Sequence, residues 1–206
     1  MCLSHENWSL TQLSFLIHDT ASSIDASFQT VSANHEDRTV RWNNENFSCH
    51  VFNVDGSCLG VPIRADFGGI IRNSAGFYLS GFSGFIPIST DILFAELTAI
   101  QRGLRLAVEM GIEELVCYSN SMLSIKLLTG HVLNYHVYAV LIQEIKELLS
   151  SRNFTVHHCL REGNQCADYM AKLGANSNED LSHATPPSDL LPLNRSDAME
   201  TIYSRA

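Results

Sequence analysis

Three acidic residues in this chain stand where a solvated carboxylate is out of place. Asp55 closes a short run rich in β-branched and aromatic residues, within Asn53-Val54-Asp55-Gly56-Ser57. Glu96 lies three residues after Leu93 and four before Ile100, on or beside the apolar stripe of a long helical segment. Asp168 falls in the first turn of a helix that opens near Gln165. Each borders an element that must bury its neighbours, and buried acids are rare unless they are paired or bound to a metal ion. Taken singly, each also has a plainer explanation. Asp-Gly-Ser is a common turn, Glu96 suits a rim carboxylate reaching for water, and an acid in a first helical turn complements the helix dipole.

The elements that must carry these residues alternate between strand and helix periodicity, which separates an α/β domain from a bundle or a sandwich. Phe47 to Val54, Ala65 to Arg72 and Phe77 to Phe85 read as three neighbouring strands, the last two joined by the polar connection Asn73-Ser74-Ala75-Gly76 of an antiparallel hairpin. Ser89, Thr90 and Asp91 offer N-caps for a long helix that Gly111 stops after Met110, with an apolar stripe through Leu93, Leu97, Ile100, Leu104 and Ala107. Leu115 to Ser119 is a fourth strand, apolar enough to be central, and a short helix follows from Ser121 to Leu128. A helix from Tyr138 to Ser151, a fifth strand from Phe154 to Cys159 and a helix from Gln165 to Gly174 complete the order β-β-β-α-β-α-α-β-α.

In combination these motifs are specific. Asn53-Val54-Asp55-Gly56-Ser57, Gly68-Gly69 with Arg72-Asn73-Ser74-Ala75-Gly76, Ala95-Glu96-Leu97, and Arg161-Glu162-Gly163-Asn164-Gln165-Cys166-Ala167-Asp168 occur in order between matching elements. The region 47–177 closely resembles the ribonuclease H-like domains of plants, in particular the ribonuclease H region of non-LTR retroelement reverse transcriptases and their free-standing relatives. The resemblance implies a five-stranded mixed sheet, its first three strands antiparallel, flanked by helices. It implies hydrolysis of the RNA strand of RNA-DNA hybrids with two divalent ions, Mg²⁺ or Mn²⁺, held by four carboxylates. Such a cluster can activate a water and stabilise the leaving oxygen, and several carboxylates are needed to hold two close cations.

Carried over residue by residue, Asp55, Glu96 and Asp168 match three of the four ligands, with Asp55 central. At the fourth position this sequence has Asn120, in Tyr118-Ser119-Asn120-Ser121. An amide oxygen still ligates a hard cation but brings no charge, so a balanced cluster becomes one of +1; the difference is on the order of several kcal/mol at an effective dielectric of about 20. A plainer role for Asn120 is to cap the helix beginning at Ser121. Relatives often carry a His in the loop before the last helix, and Leu160 to Gln165 has none; His157 and His158 lie on the preceding strand and receive no catalytic role. Arg161 is a candidate phosphate contact. Gly56 and Ser57 are candidates to meet the RNA strand, with a simple turn as their alternative. Asn120 thus separates two readings, a metal-dependent hybrid nuclease and a catalytically silent ribonuclease H-like module that binds nucleic acid or a protein partner.

Composition agrees with one domain of about 100–150 residues plus tails, since the chain has 206 residues, 45% of them hydrophobic and 17% charged. The net charge of −9 is concentrated at the ends: residues 1–46, 47–177 and 178–206 contribute −4, −2 and −3. Setting aside Asp55, Glu96 and Asp168 leaves 9 basic and 8 acidic residues in 47–177, a balance that permits nucleic-acid binding without forming a basic footprint. Both ends read as loosely structured, the first an acidic disordered segment, the last an acidic tail containing Pro186, Pro187 and Pro192. No stretch approaches the roughly 20 apolar residues of a membrane span, and Lys and Arg are absent from Met1 to Asp37, unlike a secretory leader. The six cysteines form no C-x-x-C pair and His157, His158, Cys159 and Cys166 fit no zinc spacing, so they read as free thiols of an intracellular protein, here taken as a monomer. Nor does Gly81-Phe82-Ser83-Gly84-Phe85 make a nucleophile elbow, and no phosphate-cradling glycine loop is present.

Overall fold

A computed structural model describes residues 39–199 other than 44, 45, 47, 61, 88, 131–135 and 178, together with 203 and 204. The acidic segment expected to be disordered therefore lies outside the described residues for 1–38, as does Cys2. In chain order the elements are β1 (Thr39–Val40), β2 (His50–Leu59), β3 (Arg64–Arg72), β4 (Tyr78–Ile86), α1 (Ile92–Glu109), β5 (Glu114–Ser119), α2 (Met122–Thr129), α3 (Ala139–Ser151), β6 (Asn153–His158), α4 (Gln165–Ala175), β7 (Leu181–His183), α5 (Leu191–Ala198) and β8 (Tyr203–Ser204). The main sheet has the order β6-β5-β2-β3-β4-β7. Strands β2, β3 and β4 are antiparallel, whereas β5 joins β2 and β6 joins β5 in parallel.

Local chemistry accounts for the boundaries. The Asp91 carboxylate accepts from the backbone N–H groups of Leu93 and Phe94 at 2.9 and 3.2 Å and so starts α1. Gly111, at φ +71°, turns the chain out of its far end. Ser121, not Asn120, caps α2, with its side chain accepting from Ser124 N–H, so Asn120 is left for another purpose.

The two faces of the sheet bury different things. One face, with Phe52, Val54, Phe67, Ile71 and Phe82, packs with Leu97, Ile100 and Leu104 of α1 and with Ile142 and Ile145 of α3. The other places Ile70 against Cys166 and Met170 of α4 and against Leu190. Helix α4 sits unusually close: a Cβ on Gly68 would lie 2.3 Å from the carbonyl carbon of Met170. Glycine at this position is a packing requirement.

Two differences from the sequence reading concern the domain's edges. A sixth strand is present, because β7 pairs antiparallel with Gly81–Ser83 of β4 and satisfies backbone groups that β4 would otherwise expose as an edge. The segment after 177, read as a loose tail, also packs: Leu190 is fully buried, and Asp197 pairs with the buried Arg72 at 2.7 Å. Before residue 47, Val40 and Trp42 are buried as well, and β1 pairs with β8. The polar composition of these segments hid a few apolar anchors that are enough to dock them. The five described cysteines are free thiols. No helix among the described residues is long and apolar enough to cross a membrane.

If 181–198 belongs to the cooperative unit, Leu190→Ala lowers stability by about 2–5 kcal/mol in urea unfolding, the usual cost of emptying a buried leucine site. A change below about 0.5 kcal/mol, typical of a surface substitution, contradicts that assignment.

Candidate carboxylate site

The site forms where β2 outruns its parallel neighbour. The pairing of β2 with β5 ends at Val54 and Ser119, while on its other side β2 continues against β3, with Asp55 opposite Gly68. Asp55 thus stands one residue past the end of a parallel pair, the place where open α/β sheets commonly expose a ligand crevice. Helix α1 brings Glu96 to it from one face of the sheet. That approach depends on Gly56, since a Cβ there would come within 2.5 Å of the Glu96 backbone nitrogen. Helix α4 brings Asp168 from the other face.

Burial governs the electrostatics. Asp55 is 3% and Glu96 7% exposed. Burial first, and then the charge of Asp168, pushes the Asp55 carboxyl up to about 7. Burial first, and then the charge of Asp55, pushes Glu96 up to about 8, against the opposing effect of the Gly56 N–H and the Ser119 hydroxyl nearby. The Glu96 oxygen Oε2 is buried without a hydrogen-bond partner. An unsatisfied buried carboxylate oxygen is costly and calls for a cation or a proton. Asp168 is differently placed: its side chain is 21% exposed and bonds to Lys172 Nζ at 2.5 Å and to Arg161 at 3.2 Å.

The Asn120 side chain, beside Asp55, opposes the effect of burial and favours the ionised carboxylate. A run of amide hydrogen bonds sets its orientation. Arg72 can only donate, and its guanidinium bonds Asn53 Oδ1 at 2.6 Å. Asn53 Nδ2 consequently faces Trp42 O at 3.0 Å and Asn164 Oδ1 at 3.3 Å. Asn164 Nδ2 then donates to Val54 O at 2.9 Å and to Asn120 Oδ1 at 3.2 Å. With its oxygen accepting from Asn164, the Asn120 amide keeps its N–H groups for the side of Asp55. Asn120, expected at the fourth ligand position, stands beside Asp55 with its oxygen accepting from Asn164.

The remaining sequence candidates fall in mixed places. Gly56 serves the approach of α1, and the Ser57 hydroxyl is buried without a partner. Arg161, on the short 3-10 turn before α4, is largely exposed beside Asp168. His157 is exposed on β6, and its ring lies 6.2 Å from that of Tyr118. His158 is held below its ordinary range by burial, which the neighbouring Asn120 backbone opposes.

The sequence places Asn53, Arg72, Ser119 and Asn164 inside its motifs without marking their roles, and Lys172 and Asp197 carry no local signal. A usable signal was Asn164, which occupies the N-cap position of α4 yet makes no capping bond with its side chain. Among the described residues no three His, Cys, Asp or Glu side chains converge as a ready metal cluster. The donor set nonetheless suits a hard divalent cation, because Asp55 and Glu96 offer buried carboxylate oxygens, one of them unpartnered.

A family model described as reverse transcriptase-like matches residues 53–174, more than half of the chain. No curated protein matches it. Among solved structures, the chain is similar to an N-terminal ribonuclease H domain from Mycobacterium tuberculosis, with 22% identity, a TM-score of 0.55, and coverage of 63% of this chain and 95% of that one. Ribonuclease H1 of Halobacterium salinarum gives 25% identity, a TM-score of 0.54, and coverage of 62% and 96%. A ribonuclease H1 isolated from compost, determined with an RNA/DNA hybrid, gives 23% identity, a TM-score of 0.55, and coverage of 62% and 96%. The matched span runs from Asn53 past Asp168 and the sheet and helices are those of a ribonuclease H fold, so the chain belongs to the reverse transcriptase-like family.

Proposed function

We propose that this chain is a nucleic-acid-acting hydrolase of the ribonuclease H type, cutting the RNA strand of RNA-DNA hybrids at a reduced rate. The observation that carries this reading is the pair of buried carboxylates, Asp55 and Glu96, at the open end of the parallel strands, with Glu96 Oε2 lacking any partner. Asp55, Glu96 and Asp168 are the residues that would hold Mg²⁺ or Mn²⁺. When bound, the cation supplies the positive charge that the attacking and leaving oxygens of a phosphodiester require.

The chain's own residues divide the remaining work. Ser119 and the Gly56 N–H would steady the Glu96 carboxylate, and Asn120 that of Asp55. Arg161, exposed beside Asp168, would meet a phosphate. Gly56 and Ser57 border the same end of β2 and are the nearest candidates for contact with the RNA strand. Recognition through shape and 2′-hydroxyls would give little sequence preference.

Rate is expected to suffer at two points. The amide at 120 contributes no negative charge, and Asp168 is engaged by Lys172 and Arg161. These same observations favour a second reading, a module that binds nucleic acid without cutting it.

Cleavage of a labelled RNA-DNA hybrid in Mg²⁺ and in Mn²⁺ separates the two. The hydrolase reading predicts slow cutting by the unsubstituted chain, loss of cutting in Asp55→Ala, and a gain of about tenfold or more in Asn120→Asp, since restoring a carboxylate recovers on the order of several kcal/mol of cation attraction. Cutting by Asn120→Asp alone selects the silent module. No cutting by either chain removes the hydrolase reading altogether.

A linked dependence on pH follows from the raised carboxyls. The unfolded chain releases these protons near 3.8 and 4.5, the folded one near 7 and 8. Cation-free stability is therefore greatest below the lower pair and falls as pH rises through the upper pair. Because a cation competes with those protons, Mn²⁺ should raise the melting temperature more at about pH 8.5 than at about pH 5.5. Without cation, Asp55→Asn should be more stable than the unsubstituted protein at the higher pH. Equal Mn²⁺ shifts at both pH values would contradict this assignment.

A further inference from the structure

Asn164 occupies the N-cap position of α4, where an asparagine side chain ordinarily accepts from the backbone N–H groups of the first turn, yet it makes no such bond. Its buried amide reaches across to the sheet instead. Nδ2 donates to the Val54 carbonyl at 2.9 Å and to Asn120 Oδ1 at 3.2 Å, and Oδ1 accepts from Asn53 Nδ2 at 3.3 Å. Both amide hydrogens are therefore in use. The Asn164 backbone carbonyl meanwhile accepts from the Asp168 N–H at 3.0 Å and closes the first turn of α4. These partners border the carboxylate site on three sides: Val54 directly precedes Asp55, Asn120 holds the fourth position, and Asp168 is carried on the turn itself.

We propose that Asn164 is a positioning residue of the carboxylate site: its amide, bonded to the end of β2 and to residue 120, holds the first turn of α4, and with it Asp168, against the strand that carries Asp55, and so sets how tightly the three carboxylates take a divalent cation. This rests on the cation-holding reading given above. Asp168 has need of such a tie. It is the most exposed of the three acids, and its side-chain partners Arg161 and Lys172 are themselves half or more exposed. Ion pairs at a surface hold a side chain only weakly. A buried amide with three hydrogen bonds holds the turn beneath it far more firmly.

Two plainer roles make different forecasts. If residue 164 merely starts the helix, serine serves as well, because it ranks beside asparagine as an N-cap. If α4 is held by packing alone, at Met170 and Ala171 against Gly68, loss of the amide costs stability and leaves cation binding untouched. The test therefore compares Asn164→Ser and Asn164→Ala in the full chain, with Ile145→Ala as a control. Ile145 is buried on α3, on the face of the sheet opposite α4, so its loss destabilises the protein away from Asn164. The serine hydroxyl can cap a helix but is too short to meet Val54 and Asn120 together. Mn²⁺ affinity is measured by paramagnetic resonance of the free ion, well below each melting temperature, and exchange of the Asp168 backbone N–H by ¹⁵N-¹H spectra of the cation-free protein.

The expected result is Mn²⁺ binding about tenfold weaker in both Asn164 variants, in line with the usual effect of outer partners of metal ligands, and unchanged in Ile145→Ala. Unaltered Mn²⁺ affinity in Asn164→Ser overturns the proposal. An equal loss in Ile145→Ala also overturns it, because the effect then follows stability alone. If the unsubstituted protein binds no Mn²⁺, the cation-holding reading falls and exchange decides the rest: an Asp168 N–H that exchanges faster in Asn164→Ser than in the unsubstituted chain supports the tie, and an unaltered rate removes it. If neither Asn164 variant folds, the unsubstituted chain decides. An Asp168 N–H as protected as that of Met170 supports the held turn, and exchange as fast as at the exposed end of α4 overturns it.

Discussion

A guanidinium cannot shed its proton inside a protein, so the fully buried Arg72 obliges the rest of the chain to supply it with partners. Those partners come from widely separated places. Asp197 arrives from the last helix, Asn53 from the central strand, and the Trp42 ring from the segment before the domain's first long strand. One side chain thus ties the sheet to segments on either side of the family-matched span. Breaking a buried pair from one side costs about 3–5 kcal/mol, while its net worth relative to an apolar replacement is small. What Arg72 adds is a donor to Asn53 Oδ1, in the same sense as the Trp42 carbonyl that accepts from Asn53 Nδ2.

The carboxylate site lies on the same strand, two residues beyond Asn53. Asp55 can be buried and still accessible from the sheet end because β5 stops at Ser119 while β2 continues. Glu96 can approach because residue 56 lacks a Cβ. The result is two acids close together, each pushed toward neutrality by burial and by negative neighbours, in a structure that partly compensates one of them with the Asn120 amide. An aspartate at 120 would add a third negative charge close to Asp55. The amide relieves that repulsion when no cation is bound, and it weakens the attraction for a cation by the same charge.

Much of this was legible in the sequence, for a specific reason. Asp55, Glu96 and Asp168 each sit inside an apolar pattern, so their misfit is visible locally, and the strand-helix order with its motifs led to the fold. The long helix and its Asp91 cap were equally readable, because capping chemistry is local. What escaped depends on contacts across the chain. Arg72 looks like the polar end of a strand before a turn; its burial comes from Trp42 and Asp197, 30 residues before it and 125 residues after it. The segment from 181 to 198 reads as polar and proline-bearing, yet Leu190 and Asp197 are enough to dock it, and a three-residue strand carries almost no periodicity. Asn120 was recognised as a departure, but which way its amide points is decided by Asn164, and no spacing rule reports that.

The most direct measurement is a neutron crystal structure of the deuterated protein grown with Mn²⁺, in which the amide deuterons of asparagine are seen rather than inferred. The account predicts deuterons of the Asn120 side chain directed at Asp55, its oxygen facing Asn164, and the cation on Asp55, Glu96 and Asp168. An Asn120 oxygen bound to the cation, with its deuterons turned toward Asn164, would contradict it.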